Sequence, residues 1–120
     1  MHKIKLNNVK DKSISVGESS DITVKNIRIF NSTTGIAVKD SSYANISNST
    51  FNSIKENAIF AYNKKSTFSG ATAIVSNCIY NDVNNKFISQ NGSRIINNGK
   101  IIKSEDVDIK FLYDSGYMKK

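Results

Sequence analysis

The sequence predicts an all-β chain: a parallel solenoid of about four coils with ~22 residues in each. Three observations predict it. Asparagine recurs at Asn26, Asn48, Asn77 and Asn98, in steps of 22, 29 and 21, each just before a short apolar run. A second set of apolar runs begins at Ile14, Ile36, Ile59 and Phe87, in steps of 22, 23 and 28. There is no proline in 120 residues, which suits strands that donate hydrogen bonds to both sides. A repeat this short cannot bury its own apolar face and must stack on its neighbours.

The first strand of each coil alternates with period two: Ile14 and Val16 point one way and Ser15 the other. Ile36 with Val38, Ile59 with Ala61 and Phe87 with Ser89 are its equivalents. A second strand offers Ile22 with Val24, Ala44 with Ile46, and Ala73 with Val75; in the last coil Arg94 falls on the inward position. The third offers Ile27 with Ile29, Ser49 with Phe51, Cys78 with Tyr80, and Gly99 with Ile101. Three strands per coil around one core predict a triangular prism.

Ile14 to Asn26 and Ile36 to Asn48 each span 12 residues, whereas Ile59 to Asn77 spans 18. Six additional residues therefore form an excursion around Asn63 to Ala71, and insertions in solenoids map to loops. Asparagine tolerates the left-handed backbone of a tight bend, and stacked asparagines can hydrogen-bond from coil to coil.

Three parts follow. Residues 1–10 read as a partial incoming coil, with Ile4 and Leu6 matching Ile27 and Ile29 at a step of 23. Residues 11–107 carry the coils. Residues 108–120 read as a last partial strand, Asp108 to Phe111, followed by a tail in which Leu112, Tyr113 and Tyr117 cap the open end.

The net charge of +7 favours anionic partners, acidic polysaccharide among them, or else reflects a solvated lysine surface that blocks edge pairing. Nucleic acid is not expected, because no recognition helix or RNA-binding aromatic strand pair is present. One cysteine excludes an intrachain disulfide and reads as a buried core residue; with a single histidine, His2, it argues against a bound transition metal. No signal peptide and no membrane-length apolar run is visible.

The stretches Asp11-Lys12-Ser13-Ile14-Ser15-Val16-Gly17-Glu18, Gly35-Ile36-Ala37-Val38-Lys39-Asp40-Ser41-Ser42, Ala61-Tyr62-Asn63-Lys64-Lys65 with Phe68 and Gly70, and Asp106-Val107-Asp108-Ile109-Lys110-Phe111-Leu112-Tyr113 resemble the right-handed parallel β-helix family of bacterial secreted and cell-surface proteins. The resemblance is closest to C-terminal coils found beside spore-coat-type kinase or polysaccharide-related domains. It implies a right-handed, single-stranded parallel β-helix and a secreted or surface location as part of a larger chain. It does not choose an activity, because lyases, hydrolases, epimerases, phage tailspikes and scaffolds share the architecture.

Two patches merit attention. Glu18 stacks beside Asp40, so two carboxylates sit about 5 Å apart along the stack; they form either a polar turn or a partial Ca²⁺ site. Ca²⁺ takes six or more oxygens, so no cofactor is expected. One register earlier, Gly17, Lys39, Tyr62 and Gln90 align, with Lys64 and Lys65 opening the excursion. Lys39, Tyr62, Lys64 and Lys65 form either a platform for an acidic glycan or a loop folded over Tyr62 and Phe68. The leading expectation is a non-catalytic terminal segment of a larger protein, partnered by its upstream domain and able to self-associate through open coil ends. The rivals are a fragment of a polysaccharide lyase or hydrolase and a fragment of a trimeric tailspike.

Overall fold

The computed structural model describes residues 4–7, 11–65 and 67–119. The expectations that involve His2, the end of the incoming segment at Val9 and the terminal Lys120 lie outside the described residues. The strands are β1 (Ile4–Asn7), β2 (Lys12–Val16), β3 (Asp21–Lys25), β4 (Ile27–Lys39), β5 (Tyr43–Ser47), β6 (Thr50–Tyr62), β7 (Thr72–Ser76), β8 (Ile79–Ser89), β9 (Arg94–Asn97) and β10 (Lys100–Ile101). One short helix, α1 (Ile109–Asp114), follows them.

The strands form two sheets. One runs β1-β4-β6-β8, with β2 also paired to β4; the other runs β10-β9-β7-β5-β3. Every pairing is parallel except β10 with β9. Like therefore sits on like. Ile14 pairs with Ile36, Ile36 with Ile59 and Ile59 with Phe87. Ile4 pairs with Ile27 and Leu6 with Ile29, at the register the sequence predicts.

The inward residues of these rows make one core. Val24, Ile29, Ile36, Val38, Ile46, Phe51 and Ile59 are wholly buried in it. Each such aliphatic side chain contributes about 1.5–3 kcal/mol when fully buried. Phe51 stacks on Tyr80 with ring centroids 5.4 Å apart, the aromatic counterpart of the aliphatic columns.

Corners are set by left-handed residues. Asn26, Asn48 and Asn77 lie in register, at φ between 51° and 59°. The long strands β4, β6 and β8 contain a second such corner, at Asn31, Ser53 and Asp82, which joins the predicted third strand of one repeat to the first strand of the next. A one-residue bulge accompanies it. Ser32 pairs with Ile54 but Thr34 pairs with Asn57, and the shift reverses between β6 and β8. The residue added in β6 near Lys55 and Glu56 explains why the first-strand steps are 23 and 28 where the asparagine steps are 22 and 29.

The last repeat departs from expectation in three ways. Arg94 is exposed and Ile95 takes the inward place, paired with Ala73. Asn98 arrives one residue early, at the level of Ser76, and its side-chain oxygen accepts from the Asn77 amide at 3.2 Å. Asn98 and Gly99 (φ 50° and 82°) then form a two-residue hairpin, the turn for which Asn-Gly is best suited. Gly99 and Ile101 thus start no further parallel strand; β10 turns back on β9, and Ile101 is exposed. Ile102 donates its amide to the Ile95 carbonyl, and Glu105 bridges to Ser89 and Asn91, so the segment after the hairpin crosses the end of the stack.

The predicted strand from Asp108 to Phe111 is instead the start of α1. The Asp108 carboxylate accepts the Phe111 amide at 2.9 Å and caps the helix. Ile109, Leu112 and Tyr113, three and four residues apart, share one helical face. That face, with Met118 and Tyr117, covers Ala37, Phe60 and Tyr62 on the outer side of β4 and β6. Leu112, Tyr113 and Tyr117 therefore cover a flank, and the end of the stack is crossed by residues 102–107.

Candidate functional site

The residues singled out in the sequence converge where β4 and β6 end. Lys39 pairs with Tyr62 across the strands, and the Lys39 stem lies over Gly17, where any Cβ would meet its Cε at 2.8 Å. Asp40 follows at φ 52° and is 1% exposed. The excursion opens at Asn63 and closes at Ala71, before β7.

Asp40 holds this excursion. Its Oδ1 accepts the Lys64 amide at 2.7 Å, the Lys65 amide at 2.9 Å and the Asn63 Nδ2 at 3.1 Å. Asn63 Nδ2 also reaches the carbonyls of Lys65, Phe68 and Ser69. Asp40 Oδ2 is buried without a hydrogen-bond partner. The stacking of Glu18 on Asp40 holds: Val16 pairs with Val38, and the Ser19 amide donates to the Asp40 carbonyl. The two side chains nevertheless do different things. The exposed Glu18 carboxylate is ion-paired with Lys65 Nζ, and the hydrogen bond and charge of Glu18 raise the Lys65 ammonium above its ordinary range. Among the described residues no cluster of three or more His, Cys, Asp or Glu side chains is placed to hold a metal ion.

Tyr62 is not an exposed ring. It is fully buried, packed on Phe60 with centroids 4.6 Å apart, and its hydroxyl lies 2.6 Å from that of Tyr113. Burial, then the bond to Tyr113, push its pKa far above the usual phenol value. The sequence places Tyr62 on the outer face correctly, but α1 covers that face. Over this face lies the half-buried Tyr113 of α1, which the sequence predicts in a cap over the open end. Lys64 Nζ stands 4.2 Å from the Tyr113 ring centroid, and Lys12 Nζ stands 5.1 Å from it. Lys12 is in turn paired with Asp11 at 3.1 Å. Lys64, Ile109, Lys110, Tyr113 and Asp114 line a hollow of about 300 Å³.

Cys78 is part-buried, not fully enclosed, with its Sγ 3.5 Å from the Ser76 carbonyl oxygen, and burial raises its thiol pKa. A groove of about 680 Å³ runs beside Tyr80 between Lys55 and Lys86. No helix among the described residues is long and apolar enough to cross a membrane.

Parallel rows of short strands, left-handed corners and an apolar column define a parallel β-repeat protein. The family model for the right-handed β-helix region matches residues 2–117. The chain belongs to the right-handed β-helix family. No curated protein and no solved structure matches it.

Proposed function

We propose that the chain is a non-catalytic end module of a larger secreted or cell-surface assembly, and that its rows close into a right-handed solenoid of about four coils of ~22 residues. The closing of the C-terminal end carries this reading. There β10 occupies the outer edge of β9, and residues 102–107 cross the stack through Ile95, Ser89 and Asn91. Repeat proteins need a closing element at a terminus. The burial of Asp40 and its use as a loop anchor support a structural role over a catalytic one. Native-state hydrogen exchange tests the reading: the amides of β7 and β9 exchange slowly and those on the outer edge of β3 quickly. Cleavage of polygalacturonate by the chain, abolished in Asp40→Asn, would overturn it.

Acidic-glycan binding is favoured by one observation, the placement of the Lys12 and Lys64 ammonium groups at the Tyr113 ring beside the hollow. On this reading Tyr113 takes the place expected for Tyr62. Binding of a polyuronate would fall with added salt, because the exposed Lys64 ammonium is screened, and would be lost in Lys64→Glu. Retention of affinity in that variant would rule the site out.

A further inference from the structure

Two of the six glycines follow an asparagine, as Asn91-Gly92 and Asn98-Gly99, and both pairs form turns around the last repeat. Asparagine before glycine is chemically labile. Glycine has no Cβ to shield its amide nitrogen, and that nitrogen can attack the asparagine Cγ and close a succinimide ring. The sequence does not separate the two pairs, but the structure does. Gly92 and Gly99 have φ of 94° and 82°, with nothing within 4 Å of where a Cβ would stand. Neither amide donates a hydrogen bond among the described residues, so the two nucleophiles are alike. The carboxamides differ. Asn98 Oδ1 accepts the Asn77 amide at 3.2 Å and is held toward the neighbouring row. The exposed Asn91 carboxamide makes no hydrogen bond among the described residues and is free to swing onto its own main chain.

We propose that Asn91 is a modification site, losing its side-chain amide to water and becoming aspartate or isoaspartate. The Gly92 nitrogen gives its proton to hydroxide and bonds to Asn91 Cγ, and the bond from Cγ to Nδ2 breaks with release of ammonia. Water then opens the ring. Opening at Cγ restores the ordinary main chain and gives aspartate. Opening at the Asn91 carbonyl carbon leaves Gly92 joined through the side chain and gives isoaspartate, with an additional methylene in the main chain. Nothing is oxidised or reduced, and water is the only co-reactant. The turn has no slack for that methylene. The Ser93 amide closes it on the Gln90 carbonyl at 2.8 Å, and the Asn91 amide donates to the Glu105 carbonyl at 2.9 Å. The Gln90 side chain meanwhile accepts the Asn63 amide at 2.8 Å and donates to the Val107 carbonyl at 3.3 Å. Conversion of Asn91 therefore loosens residues 102–107 from the end of the stack.

Ageing of the 120-residue chain in mildly alkaline buffer, followed by peptide mapping and mass spectrometry, tests it. Loss of ammonia at Asn91 should run about five- to tenfold ahead of that at Asn98, the factor one net hydrogen bond amounts to. Aspartate and isoaspartate peptides should both appear. Asn91→Gln should remove the conversion, since the longer side chain closes a larger ring more slowly, and Asn98→Gln should leave it in place. An unchanged β circular dichroism signal verifies folding of both variants. Hydrogen exchange of the aged chain should show the Ser93 and Glu105 amides exchanging faster than in fresh protein. Conversion of Asn98 or any other asparagine ahead of Asn91 would overturn the proposal. So would survival of Asn91 over a period in which the urea-unfolded chain converts there, or aged protein whose Ser93 and Glu105 amides exchange as before.

Discussion

The hydroxyl oxygens of Tyr62 and Tyr113 lie 2.6 Å apart, joining the last residue of β6 to a helix that arrives 51 residues later. The pair stands where the outer face of the sheet would otherwise meet water. It turns a predicted binding ring into the foundation of the C-terminal helix.

Tyr62→Ala should therefore lower stability by about 3–5 kcal/mol, the usual cost of truncating a buried aromatic. Tyr62→Phe should cost only about 1 kcal/mol, and so should Tyr113→Phe, because each removes one hydrogen bond. Urea unfolding of the two single variants and the double variant gives the coupling. If Tyr62→Ala is as stable as the parent, the helix does not depend on this face.

High pH should unfold the protein cooperatively. Burial is the first cause of the raised pKa of Tyr62, Tyr80, Tyr113 and Tyr117. Above about pH 10 the unfolded chain loses phenolic protons that the folded one retains. The folded state then binds more protons, so stability is present in full below that pH and falls as pH rises through and beyond it. Thermal melts from pH 8 to 12, read against phenolate absorbance, should show tyrosine ionisation coinciding with unfolding. Ionisation of all five tyrosines with the melting temperature unchanged would contradict this.

Asp40→Ala should release the excursion at 63–71. It removes the acceptor for three N–H groups and places alanine at positive φ, a loss of about 1–3 kcal/mol. Asp40→Asn keeps an acceptor oxygen and a residue type that tolerates this φ, so its effect should be smaller. Limited proteolysis after Lys64 or Lys65 should accelerate in the alanine variant first. Equal cleavage rates in both variants and the parent would show that the loop is held elsewhere.

Val38→Asp should be severe, because a buried unpaired charge costs several kcal/mol. Ser15→Asp, on an exposed position of the neighbouring row, should be within about 0.5 kcal/mol of the parent. Gly99→Val should cost about 1–3 kcal/mol through its positive φ and speed exchange of the Ile102 amide. Comparing the three denaturation midpoints checks the predicted order.

The repeat was legible because its cause is local. Left-handed corners call for asparagine and inward rows call for Ile, Val and Phe, so Asn26, Asn48 and Asn77 could be placed by counting. Arg94 was misplaced by the same counting, because the Asn98-Gly99 hairpin shortens the final step while the strand ahead of it keeps the step of 22. Ile109 and Phe111 alternate as a strand would; the Asp108 cap and the apolar face waiting on Phe60 and Tyr62 decide for helix. The burial of Tyr62 was illegible for the same reason. It depends on a segment distant in sequence, and outward direction in a strand says nothing about what later arrives to cover it. Glu18 and Asp40 were correctly stacked, but their division of labour needed the path of the excursion.

The left-handed corners make this chain divisible. Asn26 and Asn48 turn the backbone through the same angle and hand it to equivalent strands. Excising the 22 residues between them would return every remaining row to a matching neighbour. Duplication of the same stretch would add a layer to the column without altering the rest. A change of 21 or 23 residues would carry one whole row of core side chains to the surface, unless a bulge such as the one beside Lys55 took up the difference. Evolution of length in such a chain is quantised, and a natural family built this way should differ between members by whole rows.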